Sequence, residues 1–194
     1  METIILASGS KQRLDYFRLL GLPFRVIPSM LDEAAETAET GVCGRQTVEQ
    51  LALRKAQKVS DSISEKTWIA GADTMIFLDG KSFGKPESRQ NAFEMLTALQ
   101  GRTHEVITAI ALINEAKNIR DYCSVASKVT FAKMEKNELE WYLDTGEWEG
   151  AAGSYKIQGK ASCFISRIDG SYSSIVGLPL HEFYVMLKNN GYYI

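Results

Sequence analysis

The opening residues contain the feature that most restricts the fold. An apolar run over residues 4–7 precedes the small-residue corner Ser8-Gly9-Ser10, and a segment with helical spacing of apolar residues follows. This order predicts a strand, a tight loop and a helix. Ser10 would stand at the helix N-terminus, where unpaired backbone N–H groups and Arg13 one turn later could seat a phosphate. An ordinary capped helix after a first strand explains the same residues, so both interpretations stay open.

Composition narrows the class of protein. The 194 residues, 45% of them hydrophobic, suffice for one well-filled domain or two small lobes. A net charge of −2 without a dense run of lysine or arginine argues against stable nucleic-acid binding. Cys43, Cys123 and Cys163 are far apart and form no CxxC pair, so we expect neither a disulfide framework nor a zinc site. We expect a cytoplasmic protein without a signal peptide or membrane span.

Periodicity and turn residues predict alternating strands and helices along the rest of the chain. The predicted strands cover residues 24–27, 68–78, 106–113, 122–132 and 164–168, with 106–113 and 122–132 as antiparallel neighbours. The predicted helices cover residues 47–59, about 88–100, 136–143 and 179–187. Ser88 is predicted to cap the second of these helices, and Asp79-Gly80 is predicted to form a hairpin turn. An acidic loop over residues 31–44 and a glycine-rich loop over residues 148–160 have little periodicity, and such loops are often functional.

Asp73 is the most informative single residue. It interrupts the apolar strand over residues 68–78. A buried carboxylate is costly unless it meets a cation, a metal or a functional need for a shifted pKa. A structural aspartate that caps a nearby turn is the alternative. Glu33, in the acidic loop, would by default be a surface charge.

Five scattered charged residues together suit a triphosphate. Arg13, Lys55 and Lys85 would neutralise phosphate oxygens. Glu33 and Asp73 could hold Mg²⁺ or Mn²⁺, which prefers one or two carboxylates together with phosphates and water, and a carboxylate could also orient the attacking water. The chain has neither a Walker pattern nor GxGxxG after its first strand. Convergence of these residues in space is an assumption at this point.

Eight short motifs follow one another over nearly the whole chain. They are Ser8-Gly9-Ser10-x-x-Arg13, Asp32-Glu33, Lys55-Ala56, Gly71-Ala72-Asp73-Thr74, Gly84-Lys85-Pro86, Gly101-Arg102-Thr103-His104-Glu105-Val106, Gly153-Ser154-Tyr155-x-Ile157-Gln158-Gly159 and Val176-Gly177-Leu178-Pro179. In this order the chain resembles the Maf family of nucleoside triphosphate pyrophosphatases. The resemblance implies an elongated α/β fold related to the inosine triphosphatase group. It would be a single domain over residues 1–194, with a mixed, bent sheet flanked by helices and two lobes around a nucleotide cleft.

The resemblance also implies an activity and roles for individual residues. The activity is metal-dependent cleavage between the α and β phosphates, which gives a nucleoside monophosphate and pyrophosphate, and the assembly is a homodimer. Asp73 falls on the general base, and Glu33 falls on an acidic position associated with the metal, although Asp32 could take the same role. The implied phosphate contacts are Ser8, Ser10, Arg13, Lys55 and Lys85.

Three positions bear on the choice of base. Thr74 and Gln158 resemble the branch of the family that takes dTTP and UTP. Gln12 departs from that branch, which commonly has arginine there, and Lys156 is more like the branch that takes 7-methyl-GTP. A neutral amide at position 12 removes a charged, bidentate donor, so discrimination could be looser or extend to modified pyrimidine nucleotides.

Two rival functions and three ring side chains remain open. The rivals are a pyrophosphatase of broad specificity and a non-enzymatic regulator of septum formation, the latter suggested by the family's historical association. His104 and His181 are expected to be structural because neither has a metal-ligand partner nearby in sequence. Tyr155 is either a platform for base stacking or part of the core.

Overall fold

The opening residues fold as the predicted strand, corner and helix. The computed structural model describes residues 1–32 and 44–193. In it, strand β1 (Ile4–Leu6) leads through the corner into helix α1 (Lys11–Leu19). Ser10 occupies the N-cap position of α1, but its side chain makes no capping hydrogen bond. Its hydroxyl instead donates to Oε1 of Gln12 at 3.0 Å, so this hydroxyl orients a neighbouring amide.

The described residues form a mixed seven-stranded sheet with helices. The remaining strands are β2 (Phe24–Val26), β3 (Trp68–Leu78), β4 (Lys81–Phe83), β5 (Thr103–Asn114), β6 (Ile119–Phe131) and β7 (Ile165–Asp169). The remaining helices are α2 (Arg45–Ser62), α3 (Arg89–Leu99), α4 (Lys136–Asp144), α5 (Tyr172–Val176) and α6 (Leu180–Asn189). The sheet order is β2-β1-β3-β5-β6-β7, and β4 pairs with β3. The predicted α/β class with a mixed sheet is confirmed.

The chain divides into two compact units, which are described separately. The first unit comprises Met1–Asp73, Thr108–Val125 and Gly177–Ile194, and the second comprises Thr74–Ile107 and Ala126–Val176. The chain passes from one unit to the other inside β3, β5 and β6, so each of these strands contributes to both. A single domain over residues 1–194 with a cleft between two lobes stays a prediction.

In the first unit, β1 is the middle strand of a parallel trio. It pairs with β2 on one side and β3 on the other, with Ile4 opposite Phe24 and Trp68. Since successive side chains of a strand point to opposite faces, β1 packs against different helices above and below. One face forms a core with α1 and α6 that includes Ile4, Leu6, Phe17 and Phe183. The other face packs on α2 and includes Ile5, Ala7, Ala56 and Val59.

This arrangement makes β1 and β3 a topological switch point. The chain leaves β1 for β2 through α1 on one face and reaches β3 through α2 on the other. In open parallel sheets, the crevice at the carboxyl ends of two such strands is where ligands bind. The residues that follow β1 and those that end the first-unit part of β3 therefore lie where a ligand is expected to bind.

The second unit begins with a β3–β4 hairpin. Asp79 and Gly80 form its turn with φ angles of 51° and 76°, as the predicted two-residue turn requires. Ser88 caps α3 as predicted, because its Oγ accepts a hydrogen bond from the amide of Asn91 at 3.1 Å. The core of this unit gathers side chains from α3, α4 and the strands, among them Leu96, Leu99, Val129, Phe131, Tyr142 and Tyr155.

The predicted boundaries differ from the observed ones mainly in length. Strands β5 and β6 are longer than predicted, and their link over residues 115–118 is too short for a parallel crossover, so they are antiparallel neighbours. Helix α5 was missed. The glycine-rich loop contains two short 3₁₀ segments, Ala152–Ser154 and Lys160–Phe164. Among the described residues, no helix has the length and apolar character needed to cross a membrane.

Candidate active site

The carboxyl end of β1 lies beside the segment of β3 that leads to Asp73. The amide of Ala7 donates to the carbonyl of Ala70 at 2.8 Å, so parallel pairing continues to the last residue before the corner. Ser8 then begins the corner, and Asp73 follows Ala70 by three positions in sequence. The switch point thus brings the corner and the acidic strand of the first unit together.

Arg13 is held in the corner by hydrogen bonds to Ser8 and Gly177. Its Nη1 donates to Oγ of Ser8 at 3.0 Å, and its Nε donates to the carbonyl of Gly177 at 2.8 Å. The amide of Ser10 also donates to Oγ of Ser8, at 3.3 Å. Only 8% of Arg13 is exposed. A nearly buried guanidinium beside a helix N-terminus is a strong attractor for an anion.

Gln12 lies at the same corner with a defined amide orientation. Its Oε1 accepts the hydroxyl of Ser10, which leaves the amide nitrogen as the donor end of the side chain. The side chain is partly buried. Position 12 therefore offers neutral donors in place of a charged fork.

Lys55 and Asp73 form a buried ion pair. Nζ of Lys55 on α2 lies 2.5 Å from Oδ1 of Asp73 on β3, and the two residues are 5% and 4% exposed. Asp73 is therefore inside the protein and paired, as its place in an apolar strand predicted. Such a pair contributes little to stability, because desolvation offsets the attraction between the two charges.

Gly71 explains how α2 comes close enough to β3 for this pair to form. A Cβ atom at position 71 would lie 2.3 Å from the carbonyl oxygen of Ala52 and 2.7 Å from the amide nitrogen of Ala56. Both atoms belong to the backbone of α2, so any side chain would push the helix away. Gly71 thereby places Lys55 next to Asp73.

The other predicted site residues belong to the second unit or lie outside the described residues. Thr74 directly follows Asp73 and is partly buried, while Lys85 and Gln158 are exposed. Glu33 lies outside the described residues, and its neighbour Asp32 is exposed. The first unit therefore contains two groups of predicted site residues: the corner of Ser8, Ser10, Gln12 and Arg13, and the pair of Lys55 and Asp73.

Within the second unit, the glycine-rich loop is tied to the segment that carries Lys85. The amide of Gly153 donates to the carbonyl of Gly84 at 3.0 Å. Tyr155 is 6% exposed and its hydroxyl lies 2.7 Å from Nε2 of His104, so Tyr155 is part of the core and not a stacking platform. Burial lowers the pKa of His104 to about 4, so the pair is neutral near pH 7.

Three contributions to the site were missed from sequence. Gly71 and Gly177 lie in motifs that were recognised, but only a structure shows which backbone approaches the first and that the carbonyl of the second accepts Arg13. The His104–Tyr155 pair joins residues 51 positions apart. Both residues lie in the recognised motifs, but the motifs do not indicate that the two side chains meet.

A switch point that holds a buried arginine, a serine corner and a buried lysine–aspartate pair defines an α/β protein with a charged site at the ends of its parallel strands. The chain belongs to the family of Maf-like proteins, whose family model matches residues 3–190.

Relatives of similar length carry one recurring name. A protein of Pelotomaculum thermopropionicum named dTTP/UTP pyrophosphatase is 39% identical over 99% of this chain and 98% of its own. Relatives with the same name occur in Symbiobacterium thermophilum, at 40% identity over 99% of this chain and 96% of that protein, and in Desulforamulus reducens, at 42% identity over 94% and 93%. A solved HAM1 protein from Coxiella burnetii aligns with 97% of this chain and 100% of that chain, at 17% identity and a TM-score of 0.47.

Proposed function

We propose that this protein is a nucleoside triphosphate pyrophosphatase that hydrolyses dTTP and UTP to the monophosphate and pyrophosphate. The observation that carries the proposal is the buried Lys55–Asp73 pair at the switch point, in the same unit as the Arg13 corner. Cationic groups for phosphate and a carboxylate for water are the groups that the reaction needs. The name shared by its relatives supports the same activity.

The residues of the first unit have two proposed roles, phosphate binding and proton transfer. Arg13 and Lys55 neutralise phosphate oxygens, and Ser8 and Ser10 supply short hydrogen-bonding contacts at the corner. Lys85, from the second unit, is proposed as a further phosphate contact. As a phosphate oxygen engages Nζ of Lys55, it competes with Oδ1 of Asp73 and makes that carboxylate available to water.

Asp73 is proposed as the general base. Water adds to one phosphorus of the α–β anhydride while its proton passes to the carboxylate of Asp73. The bond from that phosphorus to the bridging oxygen breaks, and the leaving phosphate takes the electron pair. The products are the nucleoside monophosphate and pyrophosphate.

A divalent metal ion would fit the described side chains if it arrives bound to the triphosphate. The described residues contain no group of three or more histidine, cysteine or acidic side chains arranged to hold a metal. A single buried carboxylate suits Mg²⁺ or Mn²⁺ that arrives bound to the triphosphate, since Mg²⁺ commonly takes one or two carboxylates along with phosphates and water. Asp73, and Glu33 by the family resemblance, would hold it, and it would supply charge neutralisation on the phosphates.

The choice of base is proposed from positions 12, 74 and 158. Thr74 and Gln158 favour dTTP and UTP by resemblance. Gln12 presents its amide nitrogen as a donor because Ser10 takes up its oxygen, and a donor suits the carbonyl oxygens of uracil and thymine. The same neutral amide also favours the second candidate, a pyrophosphatase of broad specificity.

A panel of nucleotides separates the two candidates. The measurement is kcat/KM for dTTP, UTP, GTP and 7-methyl-GTP with Mg²⁺ and with Mn²⁺. A preference for dTTP and UTP supports the first candidate, and a flat profile supports the second. Absence of pyrophosphate release from every nucleotide overturns both.

The Asp73→Asn variant tests the mechanism. Loss of the general base lowers pyrophosphate release by about 10²- to 10⁴-fold. Asp61→Asn, an exposed carboxylate of the same unit, is the control and keeps the wild-type rate. Because the amide removes the charge of Asp73 beside the buried Lys55, unfolding is recorded alongside and the assay runs well below the unfolding midpoint. Turnover by Asp73→Asn within a few-fold of wild type contradicts the assigned role.

The assembly and the compartment are proposed from the family resemblance and from composition. A homodimer rests on the family resemblance alone, and multi-angle light scattering of the purified chain tests it. The cytoplasm rests on composition, and fractionation of cells that express the protein tests it.

A further inference from the structure

The glycine-rich loop of the second unit contains two successive residues in the left-handed backbone region. Gly153 has φ of 62° and Ser154 has φ of 65°. A residue with a side chain costs about 1–2 kcal/mol in that region and persists only where its surroundings hold it. Ser154 is fully buried. The loop therefore needs contacts from the rest of the unit to keep its shape.

The His104–Tyr155 pair supplies the contact next to this strained residue. The Tyr155 hydroxyl lies 2.7 Å from Nε2 of His104 on β5, and Phe131 packs edge-on against both rings at 4.8 Å and 5.3 Å. Nδ1 of His104 has no hydrogen-bond partner among the described residues. Among the described residues, the Tyr155 hydroxyl is thus the hydrogen-bond partner of the buried imidazole.

Neither member of the pair can act on a nucleotide directly. His104 is 2% exposed and Tyr155 is 6% exposed. Burial lowers the pKa of His104 to about 4 and raises the pKa of Tyr155, so both are neutral near pH 7. The pair has no charge with which to hold phosphate and no surface on which to stack a base.

The loop that the pair holds carries Gln158, a proposed substrate contact, and Gly153, which contacts the segment of Lys85. Three residues after Tyr155, the side chain of Gln158 is exposed, while the intervening Ile157 is buried. Two residues before Tyr155, the amide of Gly153 bonds to the carbonyl of Gly84, which directly precedes Lys85. A shift of the loop would therefore move Gln158 and disturb the segment of Lys85.

We propose that His104 and Tyr155 are positioning residues, whose buried hydrogen bond fixes the loop over residues 153–158 so that Gln158 and Lys85 are correctly placed for the nucleotide. The inference rests on the proposed function and deepens it, because it assigns base selection to residues that never touch the base.

Tyr155→Phe is the principal test, since it removes a single hydroxyl and keeps the ring in the core. We expect the preference for UTP over GTP, as a ratio of kcat/KM values, to fall by about 3- to 10-fold, the effect of one lost hydrogen bond. Gln158→Ala should lower the same ratio, and the double variant Tyr155→Phe/Gln158→Ala should lower it no further than Gln158→Ala alone. His104→Gln should behave as Tyr155→Phe does.

Tyr192→Phe is the matched control. Tyr192 is a buried tyrosine of the first unit, whose hydroxyl donates to the carbonyl of Glu2 at 2.5 Å. Its variant loses the same group, and we expect it to keep the wild-type ratio. Hydrogen exchange of the amides of residues 153–158 should quicken in Tyr155→Phe and stay unchanged in Tyr192→Phe.

The outcomes separate this inference from the proposed function. An active, selective wild type whose Tyr155→Phe variant keeps both the ratio and the exchange rates overturns the positioning role alone. Additive effects of Tyr155→Phe and Gln158→Ala also overturn it. A wild type that hydrolyses no nucleotide overturns the proposed function and, with it, the inference.

Discussion

The two units bury polar pairs of different kinds. The first unit buries the charged pair of Lys55 and Asp73, 2.5 Å apart. The second buries the neutral pair of His104 and Tyr155, 2.7 Å apart. Both pairs are buried, and burying two charges costs more free energy than burying a neutral hydrogen-bonded pair. Under the proposed function, the first pair serves the chemistry and the second fixes the shape of the glycine-rich loop.

The surroundings of each pair agree with this division. Lys55 and Asp73 share the first unit with Arg13, which ties the Ser8 corner to the carbonyl of Gly177. His104 and Tyr155 are enclosed by the aromatic and aliphatic core of the second unit. Charge is thus concentrated where strands end at the switch point.

Breaking the charged pair gives the largest expected effect. Lys55→Met leaves the carboxylate of Asp73 buried without a cation, and we expect the free energy of unfolding to fall by about 3–5 kcal/mol. Pyrophosphate release should be lost as well, since a proposed phosphate contact is gone. Urea denaturation and a coupled pyrophosphate assay measure the two effects.

The double variant Lys55→Met/Asp73→Leu separates stability from chemistry. With both charges replaced by apolar groups, we expect most of the lost stability to return while activity stays absent. A double variant less stable than Lys55→Met would mean that the pair stabilises the fold by itself, and the contrast with the neutral pair would fail.

Acid titration tests the neutral pair. Because the pKa of His104 is about 4 in the folded protein and 6.5 in the reference state, the unfolded chain takes up a proton first as the pH falls. The stability contributed by neutral His104 is complete above pH 6.5 and is lost on going down to pH 4, by about 3 kcal/mol in total. Urea denaturation at pH 7, 6, 5 and 4 measures this loss.

His104→Gln removes this component of the pH dependence. We expect its stability to fall less steeply than that of the wild type between pH 6.5 and 4. His181→Gln, a change at an exposed histidine, should keep the wild-type slope. Equal slopes for wild type and His104→Gln would show that His104 is not neutralised by burial.

Local signals predicted most of the fold. The corner after β1, the Asp79-Gly80 turn and the Ser88 cap are encoded within a few residues of sequence, and each was located correctly. Helix α5 is only five residues long and has no clear periodic pattern, so it was missed. The extra residues of β5 and β6 lie at the strand ends and are mostly polar, so the apolar pattern does not report them.

The site was less predictable because its contacts are long-range. Asp73 was expected to need a partner, but nothing in the sequence identifies Lys55, 18 positions away, as that partner. The role of Gly177 belongs to its backbone carbonyl, which every residue type has. Tyr155 could have been core or stacking platform, and the decision depended on His104, which is distant in sequence.

Two glycines extend the comparison between the units and give smaller effects. In Gly71→Ala, the new methyl group meets backbone atoms of α2 at 2.3 Å and 2.7 Å, which cannot yield without moving the helix. In Gly153→Ala, the methyl group meets Cδ1 of Ile76 at 2.6 Å, the flexible end of a side chain. We expect losses of about 3 kcal/mol and about 1–2 kcal/mol, and Gly71→Ala should also abolish activity because it separates Lys55 from Asp73.

A second substitution at Ile76 distinguishes the two mechanisms. Ile76→Val deletes the clashing Cδ1 atom, so the double variant Gly153→Ala/Ile76→Val should lose less stability than the sum of its single variants. The stability lost when Gly153→Ala is added to the Ile76→Val variant should match the loss in Gly21→Ala. Gly21 has a similar φ of 65° with open space around it, so Gly21→Ala reports the backbone cost alone. Ile76→Val should not rescue Gly71→Ala, because that clash is with the backbone of α2. Wild-type stability and activity in Gly71→Ala would mean that α2 adjusts to the added methyl group, and the missing side chain at position 71 would then not be what holds Lys55 against Asp73.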